Sequence, residues 1–187
     1  METITVQPRA PELKARQLRR EGAVPGVIFG AALPASIAVQ MDAAAARRLR
    51  RTKRVGSKLC LRLGEQSYPV LIRDLDYDSI SEETLHIGFQ LLDAGRRVNS
   101  VADIVLLNQD KVAGVLEKLQ MQVAHAAAPQ FLLDTVTVDL AGLTAGSKLT
   151  VGDIPAFGSA NIELLTDPAA IVVRVSEKRR LGTRAEA

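Results

Sequence analysis

The chain has 187 residues, of which 47% are hydrophobic and 24% charged, and its formal net charge is +3. This apolar content is too high for a disordered protein, and the length suits one ordinary domain or two small ones. No apolar stretch approaches the roughly 20 residues that span a bilayer, and the single cysteine, Cys60, excludes an intrachain disulfide. We therefore expect a cytoplasmic protein that engages no membrane.

Alternation of apolar and polar residues predicts short strands through the first half of the chain. The expected strands are Thr3–Gln7, Val24–Phe29, Ile37–Gln40, Lys58–Leu63, Tyr68–Ile72 and His86–Leu92. Two helices are predicted between them, Glu12–Arg20, which Gly22 ends, and Ala43 to about Lys53, which Asp42 caps. Gly64 and Glu65 are expected to form a hairpin turn.

A second set of strands is predicted after Gly95, at Val98–Leu107, Val112–Leu116, Leu119–Ala124, Asp134–Leu140 and Ile171–Val175. Short strands separated by turn residues favour a mainly β protein over alternating βαβ units. We expect a first domain at 1–93, a second at 94–176, and a polar tail at 177–187.

The charge is unevenly distributed along the chain. Residues 1–62 carry 13 Lys/Arg and 4 Asp/Glu, a net charge of +9, whereas residues 63–187 carry 11 and 17, a net charge of −6. Phosphate backbones favour clustered basic residues through counterion release, so the first third indicates a nucleic-acid surface. The alternative is a solvated charged face. We expect the acidic side to be mostly the second domain.

The basic residues fall into two clusters. The first cluster is Arg9, Lys14, Arg16, Arg19 and Arg20, and the second cluster is Arg47, Arg48, Arg50, Arg51, Lys53 and Arg54. On the second predicted helix, like charges four residues apart cost about 0.2–0.5 kcal/mol per pair. We expect no nearby acid except Asp42 to offset this repulsion. A polyanion would relieve this repulsion, which favours an anionic partner.

Other chemistry has little support in the sequence. His86 and His125 fall in different predicted domains and do not form a cluster with metal-ligand spacing. We interpret His125 as structural and Cys60 as a buried small hydrophobic residue. The acidic stretch from Asp74 to Glu83 is interpreted as a solvated loop. No phosphate-binding glycine motif occurs, so we expect no metal, no cofactor, no small-molecule substrate and no enzymatic activity.

Several motifs resemble those of one bacterial family. The segment Lys14–Gly30 (KARQLRREGAVPGVIFG) resembles that family's N-terminal signature, a basic run followed by Gly and then Val-Pro-Ala-Val-Ile-Tyr-Gly. Tyr68–Asp76 and Leu85–Phe89 resemble its later strands. Gly114–Glu117, Asp134–Gly146 and Leu149–Pro155 resemble the second domain of its longer members. The resemblance covers roughly residues 1–175, with the motifs in order.

The family is the 5S-rRNA-binding large-subunit ribosomal protein, twenty-fifth of the series, whose two-domain members are called general stress protein CTC. The resemblance implies a small N-terminal β-barrel that binds the loop E region of 5S rRNA in the large ribosomal subunit. It also implies a second β-rich domain with a few short helices, packed on neighbouring ribosomal proteins. The candidate RNA-binding residues are Arg9, Lys14, Arg16, Arg19, Arg20, Phe29, Arg73 and His86, with Arg47, Arg50, Arg51 and Arg54 as secondary phosphate contacts.

Three positions depart from the family pattern. Gly88 stands where the family has Asp, Asp76 where it usually has Gln, and Phe29 where Tyr is usual. Phosphate contacts position a protein on RNA, whereas base contacts specify the sequence, so affinity can survive while specificity falls. The alternative hypothesis is a diverged paralogue that acts as a stress-associated protein-interaction module without specific 5S rRNA readout.

Overall fold

The computed structural model describes residues 2–10 and 12–177. It divides the chain into two compact units. The first unit contains the residues up to Val101 together with Ala127–Asp134, and the second contains Ala102–Ala126 and the chain from Thr135 onward. The sequence-based division at residue 93 stays a proposal.

The first unit contains a six-stranded barrel and two helices. Its elements are β1 (Thr3–Pro8), α1 (Ala15–Arg20), β2 (Ala23–Phe29), β3 (Ile37–Asp42), α2 (Ala43–Thr52), β4 (Lys58–Leu63), β5 (Gln66–Tyr77) and β6 (Thr84–Leu91). Every strand predicted in this part of the chain is present. Helix α1 is shorter than predicted because the residues before it form a turn, in which the Leu13 N–H donates to the Ala10 carbonyl at 3.3 Å.

The barrel is closed by a parallel pairing between the first strand and the fourth. The strands are hydrogen-bonded in the order β1-β3-β2-β6-β5-β4, and β4 returns to β1. The interior is filled by aliphatic side chains and one ring, including Ile4, Val6, Val24, Ile28, Val39, Leu59, Leu61, Val70, Ile72, Ile87 and Phe89. Because alternate residues point inward, polar residues of the same strands lie on the outer surface.

The second unit consists of two sheets. Its strands are β7 (Val98–Leu107), which begins in the first unit, β8 (Val115–Lys118), β9 (Gln122–Ala127), β10 (Thr135–Asp139), β11 (Lys148–Thr150), β12 (Ile162–Leu164) and β13 (Ile171–Ser176). One sheet has the order β10-β7-β9-β12 and the other the order β11-β13-β8. Among the described residues of this unit, 3₁₀ turns lie at Gln109–Lys111, Val151–Asp153 and Pro155–Phe157, and a further one at Pro129–Phe131 belongs to the first unit. The prediction of a mainly β fold with few short helices is confirmed.

Two predicted strands of the second unit lie about three residues too early in the sequence. The 3₁₀ turn at Gln109–Lys111 and the bend in which the Gly114 N–H donates to the Val112 carbonyl delay the start of β8 to Val115. Strands β11 and β12 were not predicted, because three residues are too few to show an alternating pattern. The predicted polar tail lies outside the described residues from residue 178 onward.

Across the described part of the chain, no helix combines the length and apolar composition that a membrane span requires.

Replacing Gly22 by alanine should destabilise the first unit. Gly22 follows α1 with a φ of +81°, and its N–H donates to the Arg19 carbonyl at 3.1 Å. An L-residue in this left-handed region costs roughly 1–2 kcal/mol. We expect Gly22→Ala to lower the free energy of unfolding in urea by that amount. Gly95→Ala, at a position without a left-handed φ, is the control, and equal losses in both variants would contradict the account.

Acid should remove part of the stability of the second unit. Glu117 on β8 accepts hydrogen bonds from the Ser176 hydroxyl and from Arg174 Nε at 3.0 Å, which ties β8 to β13. The Ser176 hydroxyl, followed by the Arg174 guanidinium, lowers the pKa of Glu117 below its ordinary value of 4.5. A carboxylate with a lowered pKa stabilises the fold above its unfolded pKa, and this contribution is lost as the pH falls through the folded pKa.

The melting temperature of Glu117→Gln should therefore lie below that of the wild type at pH 7, and the gap should close as the pH falls below about 4. Thermal melts from pH 7 to pH 3 measure this gap, with the exposed Glu65→Gln as control. A gap that stays constant over this range would show that ionisation of Glu117 is not what stabilises the pair of strands.

Candidate nucleic-acid interface

Helix α1 is held on the barrel by one side chain and presents its arginines outward. Leu18 is 1% exposed, whereas Arg16 and Arg20 are exposed. Arg19 is half-buried, and its Nη1 donates to the Leu85 carbonyl on β6 at 3.2 Å. One apolar anchor in a six-residue helix thus orients three guanidinium groups.

The other two members of the first cluster precede α1. Arg9 is half-buried, and its Nη2 donates to the Leu13 carbonyl at 2.9 Å, which braces the approach to the helix. Lys14 is exposed at the N-cap position and makes no side-chain capping bond. The structure therefore gives Arg9 a bracing contact within the chain and leaves Lys14 on the surface.

Helix α2 is fixed by its N-cap and its apolar face. Asp42 Oδ2 accepts from the Ala44 and Ala45 N–H groups at 2.9 and 3.1 Å, which confirms the predicted cap. Ala46 and Leu49 are buried in the barrel core. The exposed side of the helix consequently carries Arg47, Arg48 and Arg51.

Part of the second cluster has an acidic partner that the sequence did not indicate. Glu82, in the loop between β5 and β6, lies 3.3 Å from Arg50 and 3.8 Å from Arg51. Arg50 also lies over the Tyr77 ring, 4.8 Å from its centroid. The expectation that only Asp42 offsets this cluster is therefore wrong, because the loop that carries Glu82, 32 residues after Arg50, folds back against α2.

The two clusters meet at Arg19 and Arg47. A cavity at the start of β2 and β6 is lined by both arginines, together with Ala23, Val24, Ala43, Glu83 and Thr84. A neighbouring groove is lined by Arg16, Arg19, Arg20, Glu83 and Leu85. Residues separated by up to 31 positions thus form one continuous basic surface, which we call the arginine surface: Arg16, Arg19, Arg20 and Arg47.

Phe29 and Arg73 lie in a different groove of the barrel. This groove is lined by Phe29, Arg73, Gln90, Arg97, Val98 and Asn99. Arg73 sits at an irregularity of β5 between Ile72 and Asp74, is exposed, and donates from Nη1 to the Asn99 carbonyl at 3.4 Å. Such a bulge turns a side chain out of the regular alternation.

His86 lies on β6 between the arginine surface and this groove. It is half-buried and pairs across the sheet with Asp76 on β5. Leu85, next to it, carries the carbonyl that receives Arg19. Arg19, which contacts β6, and Phe29, His86 and Arg73 on β2, β6 and β5 thus lie on or against three neighbouring strands of the barrel.

Gly88 faces a carboxylate from the neighbouring strand. It pairs with Asp74, and a Cβ built at Gly88 would lie 3.0 Å from Asp74 Oδ2. The position therefore lacks its own acceptor, but the Asp74 carboxylate lies directly over it. The sequence showed that Gly88 lacks the carboxylate of the family's Asp, but it did not show that the Asp74 carboxylate lies beside this position.

Most of the net negative charge after residue 62 lies in the barrel. Residues 63–93 carry 1 Lys/Arg and 7 Asp/Glu, whereas the predicted second domain, residues 94–176, carries 6 and 8. The expectation that the acidic side is mostly the second domain is therefore wrong. The acids are concentrated on β5 and in the loop that contacts α2, so the barrel has a basic surface with an acidic border.

The other residues considered for chemistry, His125 and Cys60, pack within the fold. His125 is fully buried, and its ring centroid lies 6.2 Å from that of Phe157. Cys60 is half-buried, so the expectation of a buried cysteine is wrong; it sits between the inward-facing Leu59 and Leu61 and points to the outer side of β4. The described residues contain no group of three or more His, Cys, Asp or Glu that could hold a metal ion.

Comparison with known proteins identifies the family. The model described as Ribosomal L25p family matches residues 4–89, and the one described as Ribosomal protein TL5, C-terminal domain, matches residues 98–179. The large ribosomal subunit protein bL25 of Paraburkholderia phymatum is 30% identical over 150 residues, which cover 75% of this chain and 71% of the relative. The chain belongs to the bL25 family.

Other members match a larger share of the chain. The bL25 protein of Carboxydothermus hydrogenoformans is 27% identical over 186 residues, covering 96% of this chain and 91% of the relative. That of a Geobacillus species is 28% identical over 166 residues, covering 86% and 76%. Since both family models match, the chain has the two-domain form of the bL25 family, the CTC type.

Within this bL25 barrel, sequence reasoning missed Glu82, Glu83 and Thr84. Glu82 pairs with α2, while Glu83 and Thr84 line the cavity between the clusters. All three precede or begin β6, far in sequence from the arginines. Only a pairing of β6 with β2 brings them there, and no local spacing signals that pairing.

Removing the Glu82 carboxylate should strengthen binding to a polyanion. Glu82→Gln frees Arg50 and Arg51 from their partner and adds one unit of positive charge. We expect the variant to elute from a heparin column at a higher salt concentration than the matched control Glu65→Gln, which removes an exposed acid elsewhere on the barrel. Equal shifts for the two variants would show that only net charge matters and not the contact with α2.

Proposed function

We propose that this protein is a non-catalytic component of the large ribosomal subunit that binds 5S rRNA, at its loop E region, through the first unit. The observation that carries the proposal is the meeting of two arginine clusters on one side of a closed bL25-family barrel. Clustered guanidinium groups release counterions from a phosphate backbone and supply the main part of RNA affinity.

Two kinds of contact are assigned to this side of the barrel. Arg16, Arg19, Arg20 and Lys14 serve as phosphate contacts, with Arg47 and Arg54 beside them, and Arg50 and Arg51 become available when RNA competes with Glu82. Phe29, Arg73 and His86 face the groove of the RNA. A-form duplexes hide base edges in a narrow major groove, so readout requires a locally distorted region with accessible bases and 2′-hydroxyls.

The second unit is assigned to neighbouring ribosomal proteins. Its described residues, 102–126 and 135–177, carry 4 Lys/Arg and 8 Asp/Glu, a net charge of −4, which does not favour RNA as its main partner. Val105 and Leu107 on β7 are 43% and 46% exposed, and Leu119 is 55% exposed. Exposed aliphatic side chains on an acidic unit suit contact with another protein better than contact with RNA.

The second candidate function is that of a diverged paralogue that binds proteins without specific 5S rRNA readout. Asp74 over Gly88 and Asp76 opposite His86 place carboxylates among the candidate readout residues. These groups repel phosphate, but they accept hydrogen bonds from base amino groups. If these carboxylates accept from bases, the protein binds 5S rRNA better than an unrelated RNA. If they only repel phosphate, it binds both RNAs equally.

Binding to 5S rRNA and to an unrelated structured RNA of equal length, over a series of salt concentrations, separates the two candidates. The proposed function predicts a clear preference for 5S rRNA that persists as salt is raised, because base contacts do not depend on counterion release. Equal affinities at every salt concentration would contradict it and would support the diverged paralogue.

The arginine surface should account for most of the salt dependence. Arg16→Ala with Arg20→Ala removes two exposed charges and is expected to reduce the slope of log affinity against log salt by about 1 for each phosphate contact. The control is Arg62→Ala with Lys148→Ala, which removes two exposed charges from β4 and β11. If the control lowers 5S rRNA affinity as much as the first pair, the assignment of the interface is wrong.

A further inference from the structure

The described strands of the second unit form four sheet edges, and one of these edges is open to another strand. Strands β10 and β12 are the edges of one sheet, and β11 and β8 are those of the other. Proteins protect such edges with very short strands or with charged residues. Strands β11 and β12 have three residues each and include Lys148 and Glu163, and β8 has four, two of which are Glu117 and Lys118. Strand β10, Thr135–Asp139, has five residues and is charged only at its end, so it is the least protected edge.

The backbone of β10 presents three residues to its open side. The Leu140 N–H donates to the Leu107 carbonyl at 3.2 Å, so the backbone of Leu140 faces β7. Successive backbone groups of a strand point to opposite sides, and the parallel register with β7 runs through β10 without a shift. Among the described residues, β7 is the only strand that pairs with β10. The residues whose N–H and C=O groups face the open side are therefore Thr135, Thr137 and Asp139.

The outward face of the sheet beside this edge is apolar in its middle and acidic at both ends. The register places Val105 beside Thr137 and Leu107 beside Asp139. Val105 and Leu107 are 43% and 46% exposed, at positions where an exposed sheet face usually carries polar side chains. Asp103, the preceding outward residue of β7, adds a carboxylate at the other end. The face therefore suits a partner whose apolar side chains are flanked by cations.

Charge selects among the possible occupants of the edge. The net charge of −4 on the described residues of this unit repels a phosphate backbone. A second copy of β10 would bring Asp139 of one chain towards Asp139 or Asp103 of the other, and like charges on neighbouring strands destabilise their pairing. An extended basic segment of a different protein meets neither obstacle.

We propose that the open edge of β10 pairs with an extended segment of a neighbouring ribosomal protein, in which β-branched or aromatic residues are flanked by Lys or Arg. The added strand exchanges backbone hydrogen bonds with the open side of β10, and its outward side chains extend the apolar surface of Val105 and Leu107. The inference rests on the assignment of the second unit to a protein partner, and it adds the strand that binds and the chemistry of that partner.

Thr137→Pro tests the backbone pairing. Proline lacks the N–H that an added strand needs, whereas the hydrogen bonds from β10 to β7 come from the alternate residues, so the fold should be retained. Thr137→Val, which also lacks the hydroxyl but keeps the N–H, is the matched control. We expect Thr137→Pro to bind large ribosomal subunits prepared without this protein roughly tenfold more weakly than the wild type, since an acceptor on the partner loses its donor. Thr137→Val should bind like the wild type.

Hydrogen exchange of the wild-type chain tests the same pairing without a substitution. Exchange is measured on the full chain, free and bound to those subunits, and read residue by residue by mass spectrometry with electron-transfer fragmentation. The N–H groups of Thr135 and Thr137 should exchange rapidly in the free protein and slowly in the complex, whereas those of Val136 and Val138 should be protected in both states. Rapid exchange of Thr135 and Thr137 in both states would overturn the inference, even if Thr137→Pro proves unstable.

Binding to isolated 5S rRNA, measured in parallel, separates this inference from the proposed function. If 5S rRNA is preferred but Thr137→Pro and Thr137→Val bind the subunits equally well, the β10 inference fails and the proposed function stands. If the wild type shows no preference for 5S rRNA while Thr137→Pro still weakens binding to the subunits, the proposed function fails and the β10 inference stands.

Two further results would overturn the assignment of the partner. Sedimentation of the free protein should show a monomer, and a dimer that Thr137→Pro abolishes would make a second copy the occupant. Protein-free ribosomal RNA should leave the exchange of Thr135 and Thr137 unchanged, and slowed exchange with this RNA alone would make RNA the occupant.

Discussion

Closure of the barrel is the constraint on which the rest of the first unit depends. The parallel pairing of β1 with β4 completes a ring of six strands, and a ring this small is filled by its own side chains. Both helices must then lie outside it, each held by one or two apolar residues: Leu18 for α1, and Ala46 with Leu49 for α2. Five of the arginines on these helices, Arg16, Arg20, Arg47, Arg48 and Arg51, are consequently displayed on the outer surface, while Arg19 and Arg50 are half-buried.

The arginines on α1 and α2 concentrate positive charge on this surface, and the acidic residues of the barrel neutralise only part of it. Glu82 pairs with Arg50 and Arg51 on the side of α2 that faces the β5–β6 loop. Arg47, on the side that faces α1, has no ion-pair partner among the described residues. Incomplete neutralisation costs stability in the free protein and favours a polyanion in the complex. The acidic residues on β5 and its loop border the basic surface, so they limit where along the barrel a phosphate backbone can lie.

Strands and caps were predictable because their signals are local. Lys58–Leu63 alternates visibly, and Asp42 is followed by helix-forming residues, so both elements appear where the pattern indicates. The acidic partner of α2 was not predictable, because Glu82 reaches Arg50 and Arg51 only when the loop between β5 and β6 folds back against the helix. The net charge of a sequence segment also did not show where the acids lie, because their position on the surface depends on how the strands pair.

The proposed rRNA interface is the surface that α1 and α2 form together. Ultraviolet crosslinking of the protein bound to 5S rRNA, followed by mass spectrometry of the crosslinked peptides, tests it most directly. We expect crosslinks in peptides from residues 14–20 and 43–54, with few in β4 or the second unit. Crosslinks confined to β4 or to residues 102–126 and 135–177, with none in either helix, would contradict it.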